Sequence, residues 1–189
     1  MSIEVMSPRP ADVSPRYDRW TICLHWLSAF LIIALFASAY VWDDLPRGTP
    51  LRKTLQSVHI SMGILFSVVF VVRIFWRTTG GRKLAALETG LQRILSKSLH
   101  HLLYLLLAAQ VVLGYLFRWT QGEPFMFFGL FSIPNPLETN KDLSHWFGWL
   151  HNYAGWTIII LAFGHAVAAL GHHYWLRDGV LRRMLPAGR

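Results

Sequence analysis

Cysteine is almost absent from this chain of 189 residues, which contains only Cys23. One thiol cannot form an intramolecular disulfide, a Cys-x-x-Cys-His attachment site for haem, a thiolate-held iron–sulfur cluster or a multi-cysteine zinc site. Charged residues are also scarce, at 15%, whereas hydrophobic residues make up 53% and the mean hydropathy is +0.36. This composition excludes an ordinary soluble domain, in which about a quarter of the residues are charged.

Four apolar segments are each long enough to cross a bilayer, which takes about 20 helical residues. They cover residues 20–42, 56–76, 99–118 and 146–175, and Trp or Tyr residues lie near several of their ends, as expected at a membrane interface. Backbone groups in lipid must be hydrogen-bonded within their own segment, so each segment is predicted to be a helix. The predicted fold is an all-α integral membrane protein, with a four-transmembrane-helix bundle as its single domain over residues 1–189.

Basic residues are unevenly distributed among the polar segments. The N-terminal arm, the second connector with its flanks and the C-terminal tail hold 13 of the 18 Lys and Arg residues, among them Arg9 and Arg189. The positive-inside rule therefore predicts that both termini are cytoplasmic. The net charge of +8 is interpreted as a topology signal and not as a nucleic-acid-binding face. The first twenty residues lack the apolar core of a signal peptide, so the first helix is expected to be retained.

The third connector, residues 119–145, is long and unusually apolar before its Pro134-Asn135-Pro136 turn. A structureless loop of this length is uncommon. We expect an amphipathic segment that lies on the outer membrane surface. It serves either as a cap that packs on the bundle or as a lid over an outer-face site.

Nine histidines are present, and five of them lie between residues 145 and 173. His151 and His165 are fourteen residues apart, which places them on one face of a helix and about 21 Å apart along its axis. By depth, His59 pairs with His151 near the outer face, and His25 pairs with either His165 or His172 in the inner half. Ionisable residues at membrane depth indicate function more often than they do in soluble domains.

A second pattern separates these histidines. Four residues after His25, His59, His151 and His165 the chain has Ala or Gly, whereas the other five histidines are followed there by Tyr, Leu, Trp, Leu and Arg. A flat haem against the helix requires a small residue one turn from its ligand. Close helix packing is the competing explanation. We favour haem because the pattern selects only depth-paired histidines, and it selects His165 over His172.

The prediction is therefore two b-type haems, each with two axial histidines. With both axial positions of each iron filled, neither iron is open to oxygen or substrate, so the predicted function is electron transfer. Zinc would need clustered ligands, which pairs split between two faces do not provide. A proton path would need Asp or Glu residues, which the helices almost lack. Basic residues near the faces are interpreted as propionate contacts or as plain topology charge: Arg16, Arg19, Arg177 and His173 inside, and Arg47, Arg52, Lys53 and Arg118 outside.

Short motifs also follow one another along nearly the whole chain. They are Arg19-Trp20-Thr21 before His25-Trp26, His59-Ile60-Ser61-Met62-Gly63, Val72-Arg73 with Arg77, His100 with Tyr104 and Gly114, Gly122-Glu123-Pro124-Phe125 with Phe128-Gly129-Leu130, His151 through His165 to Gly171-His172-His173-Tyr174, and Arg183-Met184-Leu185-Pro186. In this order and spacing the motifs resemble the prokaryotic cytochrome b561 family, four-helix dihaem proteins of the bacterial inner membrane.

The resemblance implies that His25 and His165 bind the inner haem and that His59 and His151 bind the outer one. It also implies exchange of electrons with the quinone pool. The best-understood type is similar to a superoxide oxidase, which passes electrons from superoxide at the outer face to ubiquinone. The alternative is a cytochrome b anchor subunit that passes electrons between quinone and a partner dehydrogenase or hydrogenase.

Two further sets of residues are candidates for ligand contacts. An outer-face anion site for superoxide would use the basic side chains of Arg118, Arg52 and Lys53. Nearby acidic residues reduce the positive charge of this region. Quinone or propionate contacts, with interhelical hydrogen bonding as the alternative, are expected at the inner face: His100, His172, His173, Arg73 and Arg177. Catalytic residues, the direction of electron flow and the choice between monomer and homodimer stay open.

Overall fold

The computed structural model describes residues 15–186, so Arg9 and Arg189 lie outside the described part of the chain. The helices are α1 (Arg19–Asp43), α2 (Pro50–Thr79), α3 (Gly90–Gln121) and α4 (Lys141–Gly171). Between α3 and α4, the short strands β1 (Met126–Phe127) and β2 (Phe131–Ser132) pair antiparallel. A π-helical turn (His172–Leu176) and a 3-10 turn (Leu181–Met184) follow α4.

All four helices are long and apolar enough to cross a membrane, which confirms the predicted four-helix membrane fold. Their bounds differ from the apolar runs. For example, α2 begins at Pro50 rather than near residue 56, and α3 at Gly90 rather than near residue 99. Hydropathy marks only the part of a helix that is apolar, whereas helical hydrogen bonding continues into polar turns. Pro50 also suits a helix start, since its missing N–H would have no partner there.

The bundle consists of two tightly packed helix pairs. α1 packs along α2 and α3 along α4, whereas contacts between α1 and α4 and between α2 and α3 are few. Apolar side chains from all four helices form the buried core: Leu24, Leu31, Phe66, Val69, Phe70, Leu107 and Ile158.

The two ends of the bundle are named here by what they carry. At the hairpin end lie the β1–β2 hairpin and the connector between α1 and α2. At the termini end, the N–H of Tyr17 donates to the carbonyl oxygen of Arg183, 3.1 Å away, and Trp26 Nε1 donates to that of Met184 at 2.8 Å. The first and last described segments therefore meet at one end.

Asp18 connects three segments at the termini end. As the N-cap of α1, its carboxylate accepts hydrogen bonds from the N–H of Thr21 at 2.9 Å and from the Thr21 hydroxyl at 2.7 Å. It also accepts from Trp76 Nε1 on α2 and from the N–H of Arg82, both at 2.9 Å. One carboxylate therefore fixes the start of α1 against the end of α2 and the segment that follows.

Replacing Asp18 with Ala is expected to lower the free energy of unfolding by about 1–2 kcal/mol at pH 7, as loss of an N-cap does. Burial would raise the pKa of Asp18, but the hydrogen bonds from Thr21, Arg82 and Trp76 outweigh it and lower that pKa. A lowered folded-state pKa stabilises the fold above the unfolded value of 3.8, and this contribution is lost as the pH falls. Thermal unfolding in detergent at pH 7 and pH 3 measures both effects, because only the lower pH lies below the unfolded value.

The matched control is Asp44→Ala, which removes an exposed carboxylate from the other end of α1. It should leave the free energy of unfolding within about 0.5 kcal/mol of that of the parent protein, as most surface substitutions do. Equal losses in the two variants would contradict a special role for Asp18.

Candidate functional site

Two histidines on different helices face each other near the termini end. The ring centroids of His25 on α1 and His165 on α4 are 6.3 Å apart, and both residues are half-buried. A metal–imidazole bond is about 2 Å long, so two rings that share one ion have centroids roughly 6 Å apart. The observed separation therefore matches two axial ligands of a single metal ion.

A second pair with the same separation lies nearer the hairpin end. The ring centroids of His59 on α2 and His151 on α4 are also 6.3 Å apart. Nδ1 of His59 donates to the carbonyl oxygen of Leu35, 3.0 Å away, and lies 3.2 Å from Ser38 Oγ. In a neutral ring this leaves the Nε2 lone pair free for a metal ion, the usual role of such a backbone contact.

The surroundings of His151 also fit a bound group. Its Nε2 lies 3.2 Å from Nε2 of Gln110 on α3. Within the described residues, Nδ1 of His151 and Oε1 of Gln110 are both buried without a hydrogen-bond partner. Such unpaired buried polar atoms are costly in a protein interior and call for an explanation. A metal ion bound to His151 would be such an explanation, because an imidazole nitrogen is a common metal ligand.

Gly63 separates the two explanations for the small residues near the histidines. It is half-buried, yet a Cβ built there would meet nothing within 4 Å. Close helix approach therefore does not require a glycine at this position. At Gly155 a Cβ would meet only Nε2 of Gln110, at 3.4 Å. Open space inside the bundle one turn from His59 is what a flat ligand on that histidine needs.

Arg73 and His100 surround the pair at the termini end. Nη2 of Arg73 lies 3.0 Å from Nδ1 of His25, and its guanidinium carbon is 5.3 Å from the centroid of the Tyr104 ring. The His100 ring centroid is 5.1 Å from that of His165. Because a guanidinium only donates, the bond from Arg73 leaves the proton of a neutral His25 on Nε2. Ligation through that nitrogen therefore requires Arg73 to release Nδ1.

His172 has a different partner. Its Nδ1 contacts Oδ2 of Asp178, and Oδ1 of Asp178 accepts from the N–H of Val180 at 3.1 Å. Burial would raise the pKa of Asp178, but hydrogen bonds from His172 and Val180 outweigh it and lower that pKa. Two other residues predicted for this face lie close by in the chain: the His173 ring contacts Tyr174, and Arg177 is exposed with φ of 51°.

The basic residues predicted for an outer anion site lie at the hairpin end, where two of them hold backbone. Arg52 donates to the carbonyl oxygens of Trp42 at 2.5 Å and Leu45 at 2.8 Å, at the end of α1. Arg118 donates to that of Pro124 at 2.8 Å and forms an ion pair with Glu123 at 3.3 Å. Lys53 is exposed. Their role in anion binding stays a prediction.

Sequence reasoning missed Gln110 and Asp178. Gln110 could have been noticed, since it is a polar residue in the middle of an apolar run. Asp178 carried no such signal, because its contact with His172 depends on how the chain turns after α4.

Neither pair belongs to a larger metal-binding cluster. Among residues 15–186, no three His, Cys, Asp or Glu side chains are grouped so that they could hold a metal ion. An ion between the rings of either pair must therefore bring other ligands. The iron of haem does so with its four porphyrin nitrogens, and the residues present fit that group.

Comparison with known proteins agrees with this geometry. Residues 16–187 match the family model described as prokaryotic cytochrome b561. Cytochrome b561 homolog 2 of Escherichia coli (strain K12) is 30% identical over 171 residues, which cover 90% of this chain and 91% of that protein. A protein of Yersinia pestis named probable superoxide oxidase CybB is 28% identical over 180 residues, with coverage of 92% and 98%. Cytochrome b562 of Cereibacter sphaeroides is 29% identical over 184 residues, with coverage of 90% and 96%.

Proposed function

The chain belongs to the prokaryotic cytochrome b561 family of membrane electron-transfer proteins with b-type haem, and from this premise we propose that it is a superoxide:ubiquinone oxidoreductase with two haems. His25 and His165 would hold one haem and His59 and His151 the other. The observation that carries this proposal is the separation of 6.3 Å between ring centroids, which is the same in both pairs. Haem supplies reversible one-electron chemistry at its iron.

The positions of the two pairs support transfer along the bundle. His151 and His165 are fourteen residues apart on α4, a rise of about 21 Å. In each pair both histidines would hold the iron of one haem and leave no ligand position open to a substrate, so substrates would react at the periphery. The excess of basic residues at the termini end supports a cytoplasmic location for that end in a bacterial cell, with the hairpin end outside.

The electron balance sets what each end must do. Two superoxide ions would each lose one electron at the hairpin end, which leaves two molecules of O2. At the termini end, ubiquinone would take both electrons with two protons and become ubiquinol. Reverse flow uses the same residues. The name of the relative in Yersinia pestis supports superoxide as the donor.

Residues at the termini end can supply the quinone with hydrogen bonds and protons. Asp178 accepts from Nδ1 of His172, so Nε2 of that ring faces a ligand: it accepts from a quinol hydroxyl when the imidazole is neutral and donates to a quinone carbonyl when the imidazole is protonated. His100 donates from Nδ1 to the carbonyl oxygen of Ser96 at 2.5 Å, so its Nε2 is likewise free. We assign these two histidines to the quinone headgroup. Arg73, Arg177 and His173 are assigned to haem propionates or the same headgroup.

The reaction is tested with the purified, haem-loaded protein, a superoxide source and a soluble ubiquinone analogue. Reduction of the haems by superoxide, followed by reduction of the analogue, is the expected result. Superoxide dismutase should abolish both. Reduction of neither haem nor analogue above background would reject the enzyme and favour the anchor subunit that passes electrons between quinone and a partner oxidoreductase.

Lys53 provides a sharper test of the anionic donor. Lys53→Glu is expected to slow haem reduction by superoxide several-fold at low ionic strength, because a positive charge at the hairpin end attracts the approaching anion and a negative charge repels it. The difference should shrink at 0.5 M salt, where charges are screened over a few ångströms. Stopped-flow absorbance at the haem band measures the rate. Lys83→Glu, the same change at an exposed residue at the termini end, should leave the rate unchanged, and an equal slowing would contradict steering.

A further inference from the structure

The segment of residues 125–133, called here the aromatic hairpin, lies against the side of the bundle. Ser61 on α2 accepts a hydrogen bond from the N–H of Phe128 at 2.8 Å, and its hydroxyl lies 3.4 Å from the carbonyl oxygen of Met126. Arg52, which binds the end of α1, is nine residues nearer the start of α2 than Ser61. Nine helical residues rise about 14 Å. The hairpin therefore packs about 14 Å from the level of Arg52 toward the middle of the bundle, at a depth close to that of His59.

A second contact shows the same descent along α3. Phe125 is 6% exposed, and its ring centroid is 4.9 Å from that of Tyr115. Tyr115 lies six residues before Gln121, the last residue of α3, which corresponds to about 9 Å. After α3 ends, the chain thus turns back toward the middle of the bundle. The hydroxyl of Tyr115, 3.1 Å from Ser67 Oγ, connects this region to α2 as well.

The exposed surface of the aromatic hairpin is apolar. Phe128 and Phe131 are each 51% exposed and Leu130 is 77% exposed. No charged residue occurs between Glu123 and Glu138. On α2 this surface continues into side chains that face outward over the apolar part of the helix: Leu65, Val68, Val71, Val72 and Phe75.

The backbone of the hairpin is largely satisfied without water. β1 pairs with β2, the N–H of Leu130 donates to Phe127 at 2.8 Å, and that of Ile133 donates to Phe125 at 2.7 Å. Phe128 adopts φ of 46°, a conformation that residues other than glycine rarely take, and its N–H is held by Ser61. Paired backbone is the condition under which non-helical structure is tolerated at membrane depth.

We propose that the aromatic hairpin is embedded in the lipid at the hairpin end, with Phe128, Leu130 and Phe131 in contact with lipid chains. This goes beyond a segment that rests on the membrane surface. Three observations indicate that lipid covers this surface. The hairpin lies beside the apolar part of α2, its exposed side chains are apolar, and its backbone groups are paired. The hairpin thereby closes the lipid side of the bundle at the level of His59.

Spin labels measure this depth in the haem-loaded protein in lipid nanodiscs. Cys23 is first replaced by Ser, and single cysteines are then placed at Leu130 in the hairpin, at Glu138 in the exposed polar part of the same connector, and at Val71 as a reference on α2. Power-saturation experiments compare collisions of each label with oxygen, which enriches in lipid, and with a water-soluble nickel chelate. Leu130 should resemble Val71, with at least a several-fold preference for oxygen, and Glu138 should show the reverse.

A label at Leu130 that favours the nickel chelate would overturn the proposal, as would one shielded from both reagents, which would indicate a protein partner. The haem spectrum of each labelled variant reports whether the bundle is intact. A label at Phe131 repeats the measurement if the Leu130 variant does not fold.

Discussion

Replacing His165 with Ala is expected to reduce the haem content from two to one per chain, whereas His172→Ala should leave it at two. His165 faces His25 at 6.3 Å between ring centroids, so its loss would remove one of the two ligands proposed for that haem. His172 lies on the same helical face two turns further on, but its imidazole is held by Asp178. The pyridine-haem assay with a protein determination measures the ratio.

The redox-difference spectrum of each variant serves as the internal check. In His165→Ala the remaining spectrum should be that of the haem held by His59 and His151. Loss of a haem from His172→Ala with retention in His165→Ala would reject the assignment. Fewer than two haems in the fully loaded parent protein would reject the dihaem interpretation altogether.

The sequence was sufficient to predict the helices, because an apolar run of bilayer length has few alternatives to a helix. It also predicted which histidines come together. His25 with His165 and His59 with His151 are adjacent in the structure, as depth and small neighbours indicated. These predictions depend only on residue spacing along a helix, which determines both the depth of a side chain and the helix face on which it lies.

Other features depend on contacts that no local pattern encodes. The aromatic hairpin is fixed by Ser61, which lies 67 residues before Phe128 in the chain. Arg52 and Arg118 were predicted from charge alone, yet their guanidinium groups are also used to bind carbonyl oxygens at the ends of α1 and α3. Topology and composition cannot show such local partners, since they arise only when the loops take their final shape.

The two histidine pairs connect α4 to α1 and α2. α4 supplies one histidine to each pair, whereas α1 and α2, which pack tightly against each other, supply one histidine each. Each pair therefore joins α4 to the α1–α2 unit across an interface with few other contacts. Bound haem should stabilise this interface, since a ligand that binds only the folded state shifts unfolding toward higher temperature.

Replacing Gly63 with Leu is expected to remove only the haem of the His59–His151 pair. Gly63 is half-buried with open space around its Cβ position, one turn from His59. A leucine side chain would fit that space in the haem-free chain but would occupy the place of the haem plane. Gly164→Leu is the matched control, because Gly164 also has open space around it but is exposed on α4. Haem content should fall from two to one in Gly63→Leu and stay at two in Gly164→Leu. If Gly63→Leu kept both haems, haem would not occupy the space beside Gly63, and helix packing would again be the better explanation for the small residues near the histidines.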